Sequence, residues 1–504
     1  MKPFAWIVFV AAYMAALSLG ACQRTAMDAP TIQVGMAQLP MTLDPRYATD
    51  AASMRVQKFI HRGLVRLDTH FEPQPDLAEQ WEHPSLLLWR FRLKHGIYFH
   101  DGTPLQPADV VATLQAVLDP DMASPLRAGF AAIEHISAKG DDTVIIQLKH
   151  PDASLLTRLN LGILPASLAG RAHEARTTIG CGPYRLTRWQ ENTLGLERVD
   201  QVRQGEVHFI RFSAVKDPVT RVLKLVRGEL DFAQNDLPPH LLPYIQKQDG
   251  LTIQTRPSTT FAYIGLNLQD ETLDDVRVRQ ALALGLDRTK LKRALFADLP
   301  EVAETVLTSS HWATASLEPT DFDPKEAERL LDMAGFRRGA DGVRFTLNYR
   351  TSTDPTRLRL ATAIASMWEK IGVQVSIESL EWGGFYARIK RGDFQVFSLS
   401  WVGITDPDIY RWILHSSMWP PKGANRGRYA NSQVDRWLDK AAASDDQNSR
   451  KVLYQKVQQQ MHEDMVYIPL WYEPVIAVTG PRISGFIPKP DGSLLGLLDV
   501  KLGK

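Results

Sequence analysis

The sequence predicts an α/β protein, and three stretches carry that expectation. In Asp323-Pro324-Lys325-Glu326 an aspartate stands as N-cap, with proline at the first helical position and glutamate at the third. Ala327, Leu330, Leu331 and Ala334 follow as its buried stripe, and Gly335 is placed to end the helix. A longer helix follows Pro355, carrying Leu358, Ala361, Ile364, Ala365 and Trp368, and stops near Gly372. Val373, Val375 and Ile377 then alternate as a strand. In 89–94, Trp89, Phe91 and Leu93 alternate with Arg90, Arg92 and Lys94, the period of two of a half-buried strand. Helix, glycine and strand in succession is the grammar of α/β units.

The other elements fall into place in chain order. Lys2, an apolar run from Phe4 to Ala21 and small residues before Cys22 read as a secretory signal, 1–21. Leu19-Gly20-Ala21-Cys22 resembles a bacterial lipobox, which makes Cys22 the lipidated first residue of the mature chain and 22–30 a short tether. Residues 31–37 open the folded body as a strand. The turn His100-Asp101-Gly102-Thr103-Pro104 precedes a helix from about Pro107, with Ala108, Val111, Leu114 and Val117 on one face. Residues 143–148 read as a strand and 434–464 as two helices.

Composition excludes several classes. The 504 residues carry 58 Lys+Arg against 57 Asp+Glu, so no basic excess exists to neutralise phosphates, and no nucleic-acid partner is expected. With 44% hydrophobic residues the chain is too apolar for disorder. Two cysteines cannot build a disulfide framework or a Cys-rich zinc site. No GxSxG, HExxH, GxxxxGK[ST] or GxGxxG is present, so no catalytic residue, metal ligand or cofactor is assigned, and the chain reads as a non-enzyme. Cys181, between Gly180 and Gly182, is either a small residue in a tight turn or a nucleophile without a visible base.

Specificity comes from short stretches in a fixed order. They begin with Thr42-Leu43-Asp44-Pro45, Gly63-Leu64-Val65 and Pro75-Asp76-Leu77-Ala78-Glu79. Phe99-His100-Asp101-Gly102-Thr103-Pro104-Leu105 follows, then Gly180-Cys181-Gly182-Pro183-Tyr184, Gly228-Glu229-Leu230-Asp231 and Asp406-Pro407-Asp408. Together, from about residue 31 onward, the chain resembles the peptide/nickel-binding group of large solute-binding proteins of ABC importers. The resemblance implies a two-lobed, type II periplasmic-binding-protein-like fold with an extra inserted domain. Lobe I would comprise 31–58, 177–261 and 475–504, the inserted domain 59–176, and lobe II 262–474. It also implies a monomer in the periplasm or cell envelope, held to the membrane by its lipid, that delivers a peptide to a permease and ATPase complex.

In the family one ligand-binding edge runs through a tryptophan-containing segment, which is Ser400-Trp401-Val402-Gly403-Ile404-Thr405-Asp406 here. A receptor edge of this kind pairs with the repeating donors and acceptors of a peptide main chain. By the same resemblance Trp382 forms a cleft wall and Tyr472 faces the cleft. Peptide binders of the family commonly place an aspartate three residues after the edge tryptophan, for the peptide ammonium, and this chain has Ile404. Either Asp406 shifts in to serve, or it caps the turn at Pro407 and the ligand has no free amino terminus there. The competing readings are a nickel chelate, haem, cell-wall peptide or oligosaccharide receptor, and a hydrolase or chaperone on the same scaffold. His415, followed by Ser416 and Ser417, is a candidate to touch a metal complex.

Overall fold

Two long strands, Thr252–Leu266 and Tyr467–Thr479, run antiparallel through the middle of the molecule in a computed structural model. The structure describes residues 30–503 apart from 172–175, 177, 201, 202, 204, 236, 238 and 445. The signal segment, Cys22 and the tether before Pro30 lie outside the described residues. Among the described residues no helix is long and apolar enough to cross a membrane.

The two strands pair from Thr252↔Thr479 to Pro257↔Pro474, lose register, and pair again from Phe261↔Tyr472 to Gly265↔Tyr467. Proline has no N–H to give a ladder, and here proline faces proline, so the sheet is interrupted between its halves. One half continues through Phe232–Gln234, Thr31–Met36, Phe209–Ala214, Thr193–Arg198 and Tyr184–Trp189. This is lobe I, filled by Ile32, Val34, Phe59, Leu194, Ile210 and Phe212. The other half continues through Val396–Trp401, Phe345–Ser352 and the edge strand Val373–Leu380. This is lobe II. Its helices start as the sequence dictates: Asp323 accepts from the N–H groups of Lys325 and Glu326, and Asp354 from those of Thr356 and Arg357. In Pro355–Lys370 the buried stripe is Leu360, Ala361, Ile364, Ala365 and Trp368, whose indole donates to the Leu282 carbonyl at 2.8 Å; Leu358 points outward.

A third unit is inserted ahead of the Gly180 turn. Its four-stranded antiparallel sheet, ordered Ala78–Ser85, Leu88–Leu93, Thr143–Leu148 and Ile133–Lys139, buries Trp89, Phe91, Val144 and Ile146. Each such side chain, fully buried, contributes about 1.5–3 kcal/mol. Arg90 and Arg92 point outward to Glu82 and Glu79. The helix Pro107–Leu118 differs from expectation in its face: Val110, Thr113, Leu114 and Val117 are inward, Ala108 is exposed and Val111 half-buried. Asp109 sets this rotation. Its carboxylate accepts from the N–H groups of Gln106 and Ala166, both at 2.7 Å, which draws it inside.

The Gly180-Cys181-Gly182 turn is the seam between this unit and lobe I. Gly182 N–H donates to the Ile60 carbonyl at 2.8 Å, and His100 N–H donates to the Gly180 carbonyl at 2.9 Å. A Cβ on Gly180 would lie 1.9 Å from the Ile60 oxygen, and one on Gly182 would lie 2.5 Å from the Phe59 oxygen. Both glycines are therefore needed for close approach. Cys181 between them is buried, and burial pushes its thiol up to about 11. A thiol so held is a packing residue rather than a nucleophile. Gly180→Ala is expected to destabilise the protein by about 3 kcal/mol in urea unfolding. Gly170→Ala, whose Cβ meets nothing within 4 Å, should be near neutral in the same assay.

Candidate functional site

The strand Val396–Trp401 is paired along its full length with Thr252–Leu266, from Leu266↔Val396 to Phe261↔Trp401. On its other side it meets Phe345–Ser352 only at Tyr349↔Val396 and Arg350↔Phe397. From Ser398 to Trp401 that second edge has no strand partner among the described residues. An edge of this kind carries main-chain donors and acceptors ready for an added strand. Past Trp401 the chain swings outward: Val402 is 76% exposed, and Gly403 adopts φ +71°, a conformation that favours glycine. Ile404 then returns to the core, its N–H donating to the Thr259 carbonyl at 3.1 Å. Ser400 turns its hydroxyl to Glu473 Oε1 at 2.7 Å.

Beside this edge stands an aromatic wall. Trp382 opens the helix Trp382–Arg391, whose N-cap Glu381 accepts from Gly383 N–H. Its ring is 50% exposed and stacks on Tyr386 one turn along, at 5.7 Å and 8°. Trp401 stacks on Tyr263 at 6.0 Å and 6°. Arg426 joins the pairs. Its guanidinium lies over the Trp401 ring at 4.3 Å and donates to the Tyr263 hydroxyl at 2.9 Å and the Tyr386 hydroxyl at 3.2 Å. It is only 8% exposed and makes no ion pair with any acid among the described residues. The structure thus brings Trp382, Ser400 and Trp401 together, and adds Tyr263, Tyr386 and Arg426, which sequence reasoning missed. The i, i+4 spacing of Trp382 and Tyr386 was a usable signal. Arg426 had none, because it arrives from a loop far along the chain.

Two expected residues sit apart from this wall. Tyr472 is buried inside the lobe II core, its hydroxyl shared between the carbonyls of Thr305 at 2.8 Å and Leu307 at 2.5 Å, so no donor is left over for a ligand. Asp406 turns toward the inserted unit. Its carboxylate accepts from Ser154 Oγ at 2.8 Å, Thr157 Oγ1 at 2.5 Å and Asp408 N–H at 2.8 Å. The last bond shapes the turn ahead of the helix Ile409–Leu414; the first two latch lobe II to the inserted unit. Thr405, between Ile404 and Asp406, offers its carbonyl to the His311 ring at 3.4 Å. His415 caps its own turn, with Nδ1 facing Ser417 N–H at 3.1 Å.

The latch is electrostatically tuned. Burial would raise the Asp406 carboxyl, but the Arg450 charge and the Thr157 hydrogen bond hold it below the usual range. Its neighbour Asp408 is pushed up to about 7, first by burial and then by the Asp406 charge.

Two lobes joined by crossing strands, with an extra domain inserted, define a type II periplasmic-binding-protein-like fold. A family model described as bacterial extracellular solute-binding proteins, family 5 Middle, matches residues 72–419, and the chain belongs to that family. It is a solute-binding protein of the kind that serves ABC importers. It is 28% identical over 453 residues to a probable di/tripeptide-binding protein 5 of Pseudomonas aeruginosa, covering 83% of this chain and 85% of that one. The fold is shared with the oligopeptide-binding protein AppA of Bacillus subtilis in complex with a nonapeptide (TM-score 0.74, 24% identity, 94% and 99% of the chains). It is shared too with NikZ of Campylobacter jejuni in complex with Ni(L-His) (TM-score 0.76, 24% identity, 94% and 99%).

The raised Asp408 predicts a pH dependence. An acid whose folded pKa exceeds its unfolded value binds more protons when folded, so stability falls as pH rises from about 4 to 7. Asp408→Asn removes this penalty. It should leave the thermal midpoint near wild type at pH 4 and raise stability at pH 8 by on the order of 2 kcal/mol, read by calorimetry at both pH values.

Proposed function

We propose that the protein is the lipid-anchored, extracytoplasmic substrate-binding component of an ABC importer, which holds a peptide in the cleft between its lobes and hands it to the permease. The observation that carries this reading is the strand edge at Ser398–Trp401, paired on one side only. A peptide laid along it gains main-chain hydrogen bonds that do not depend on side chains. Trp382 and Trp401 supply a tolerant apolar wall. Asp406 is spent on the latch, so it is not the ammonium anchor in this reading. Glu473, which holds Ser400 with one oxygen, is the carboxylate beside the edge. Arg426, with no acid bonded to it, is suited to a ligand carboxylate. Binding is the role, with no catalysis, as for the relatives named above.

The division of the chain into 31–58, 177–261 and 475–504 as lobe I, 59–176 as the inserted domain and 262–474 as lobe II belongs to this proposal. So do the periplasmic monomer and the Cys22 anchor. One observation favours a second reading, a receptor for an anionic chelate: the same Arg426, in a ring-lined wall, would suit its carboxylates.

Thermal shift separates the readings, because a ligand that binds only the folded state raises its midpoint. A mixed di- to nonapeptide library should raise it; a shift with nickel–histidine and none with peptides would reject the peptide reading. With a peptide that binds, Trp382→Ala should weaken affinity about tenfold and leave the unliganded midpoint almost unchanged, since the ring is half exposed. For the anchor, Cys22→Ser should abolish incorporation of a labelled fatty acid into the full-length chain in expressing cells. Equal labelling of the variant would reject lipidation at that residue.

A further inference from the structure

A cavity of about 140 Å3 lies between the inserted unit and lobe II, and of the residues already discussed in the binding edge only Asp406 borders it. Trp89 and Leu156 line it from the inserted unit; Trp312, Gln447 and Arg450 line it from lobe II. Two of these side chains bring buried donors that find no acceptor among the described residues: the Trp89 indole N–H, and Nε and Nη2 of Arg450. A buried donor left unpaired keeps its desolvation cost uncompensated, and the cost is larger when the donor is charged.

Arg450 is 9% exposed, with its guanidinium over the rings of Trp312 at 5.5 Å and Tyr454 at 5.8 Å. Asp406 and Asp408 face it, but neither makes an ion pair with it. The acids on the wall are otherwise engaged. Asp152 is paired with Arg158, and Asp406 accepts its three hydrogen bonds. The guanidinium is therefore the cation on this wall with no carboxylate bonded to it among the described residues. The rest of the lining mixes the Trp89 and Trp312 indoles, the His83 ring stacked on Trp89 at 3.9 Å and aliphatic carbon with the polar side chains of Thr157, Ser444 and Gln447.

We propose that this cavity binds a small monocarboxylate with a flat apolar body, its oxygens accepting from Arg450 and Trp89. The volume fits: a dry apolar cavity of roughly 150 Å3 holds a benzene ring. Such a ligand touches the inserted unit and lobe II at once, so its binding favours the arrangement in which the two walls meet.

Benzoate is the probe, titrated into the whole protein, with the Trp89 indole 1H–15N signal, assigned through Trp89→Phe, as readout. A saturable shift is expected. Benzamide, and benzoate with Arg450→Met, should each bind about tenfold more weakly. Trp89→Phe keeps an aromatic ring and removes the donor. It should weaken benzoate several-fold by thermal shift, and it decides the matter if Arg450→Met does not fold. No saturable response, or equal binding of benzoate and benzamide, or full affinity in the folded variants, overturns the proposal.

Discussion

The pairing of Thr252–Leu266 with Tyr467–Thr479 is the constraint on which the rest depends. One continuous sheet would make a single rigid body. The register break at Pro257 and Pro474 leaves two bodies joined through the same two strands. The candidate edge lies just beyond that break, because Trp401 pairs with Phe261, the first residue at which the ladder resumes. Edge and break are thus built from the same stretch of backbone, and any rotation about the break moves the edge directly.

Local grammar was legible in the sequence. Asp323 caps the helix it announces, and the alternation in 89–94 sets the buried face of a strand. The reason is that caps and periodicity are decided within a few residues. The face of Pro107–Leu118 was not legible, since Asp109 turns inward for Ala166 N–H, far along the chain. Some of the family stretches, each weak alone, prove to be contacts with one another. The His100 turn and the Gly180 turn are bonded to each other and to the end of the helix Ala51–Ile60. A glycine pattern there reads as spacing in sequence and as clearance from a carbonyl oxygen in space.

The site was legible in part, for the same reason. Trp382 and Trp401 were visible, but Tyr263 and Arg426 come from other elements, and only folding sets them together. Asp406 shows how a side chain's neighbours decide its role. Two hydroxyls of the inserted unit, Ser154 and Thr157, claim a carboxylate that the sequence alone left between two uses.

The loop from Trp401 to Asp406 has two sides. One end borders the open edge and the other is tied across to the inserted unit. The inserted unit is in turn joined to lobe I through the Gly180 seam. Mechanically this is a strut in parallel with the two crossing strands. Any swing on those strands must stretch or release the strut, so a single carboxylate, Asp406, couples the inserted unit to the angle between the two halves of the sheet.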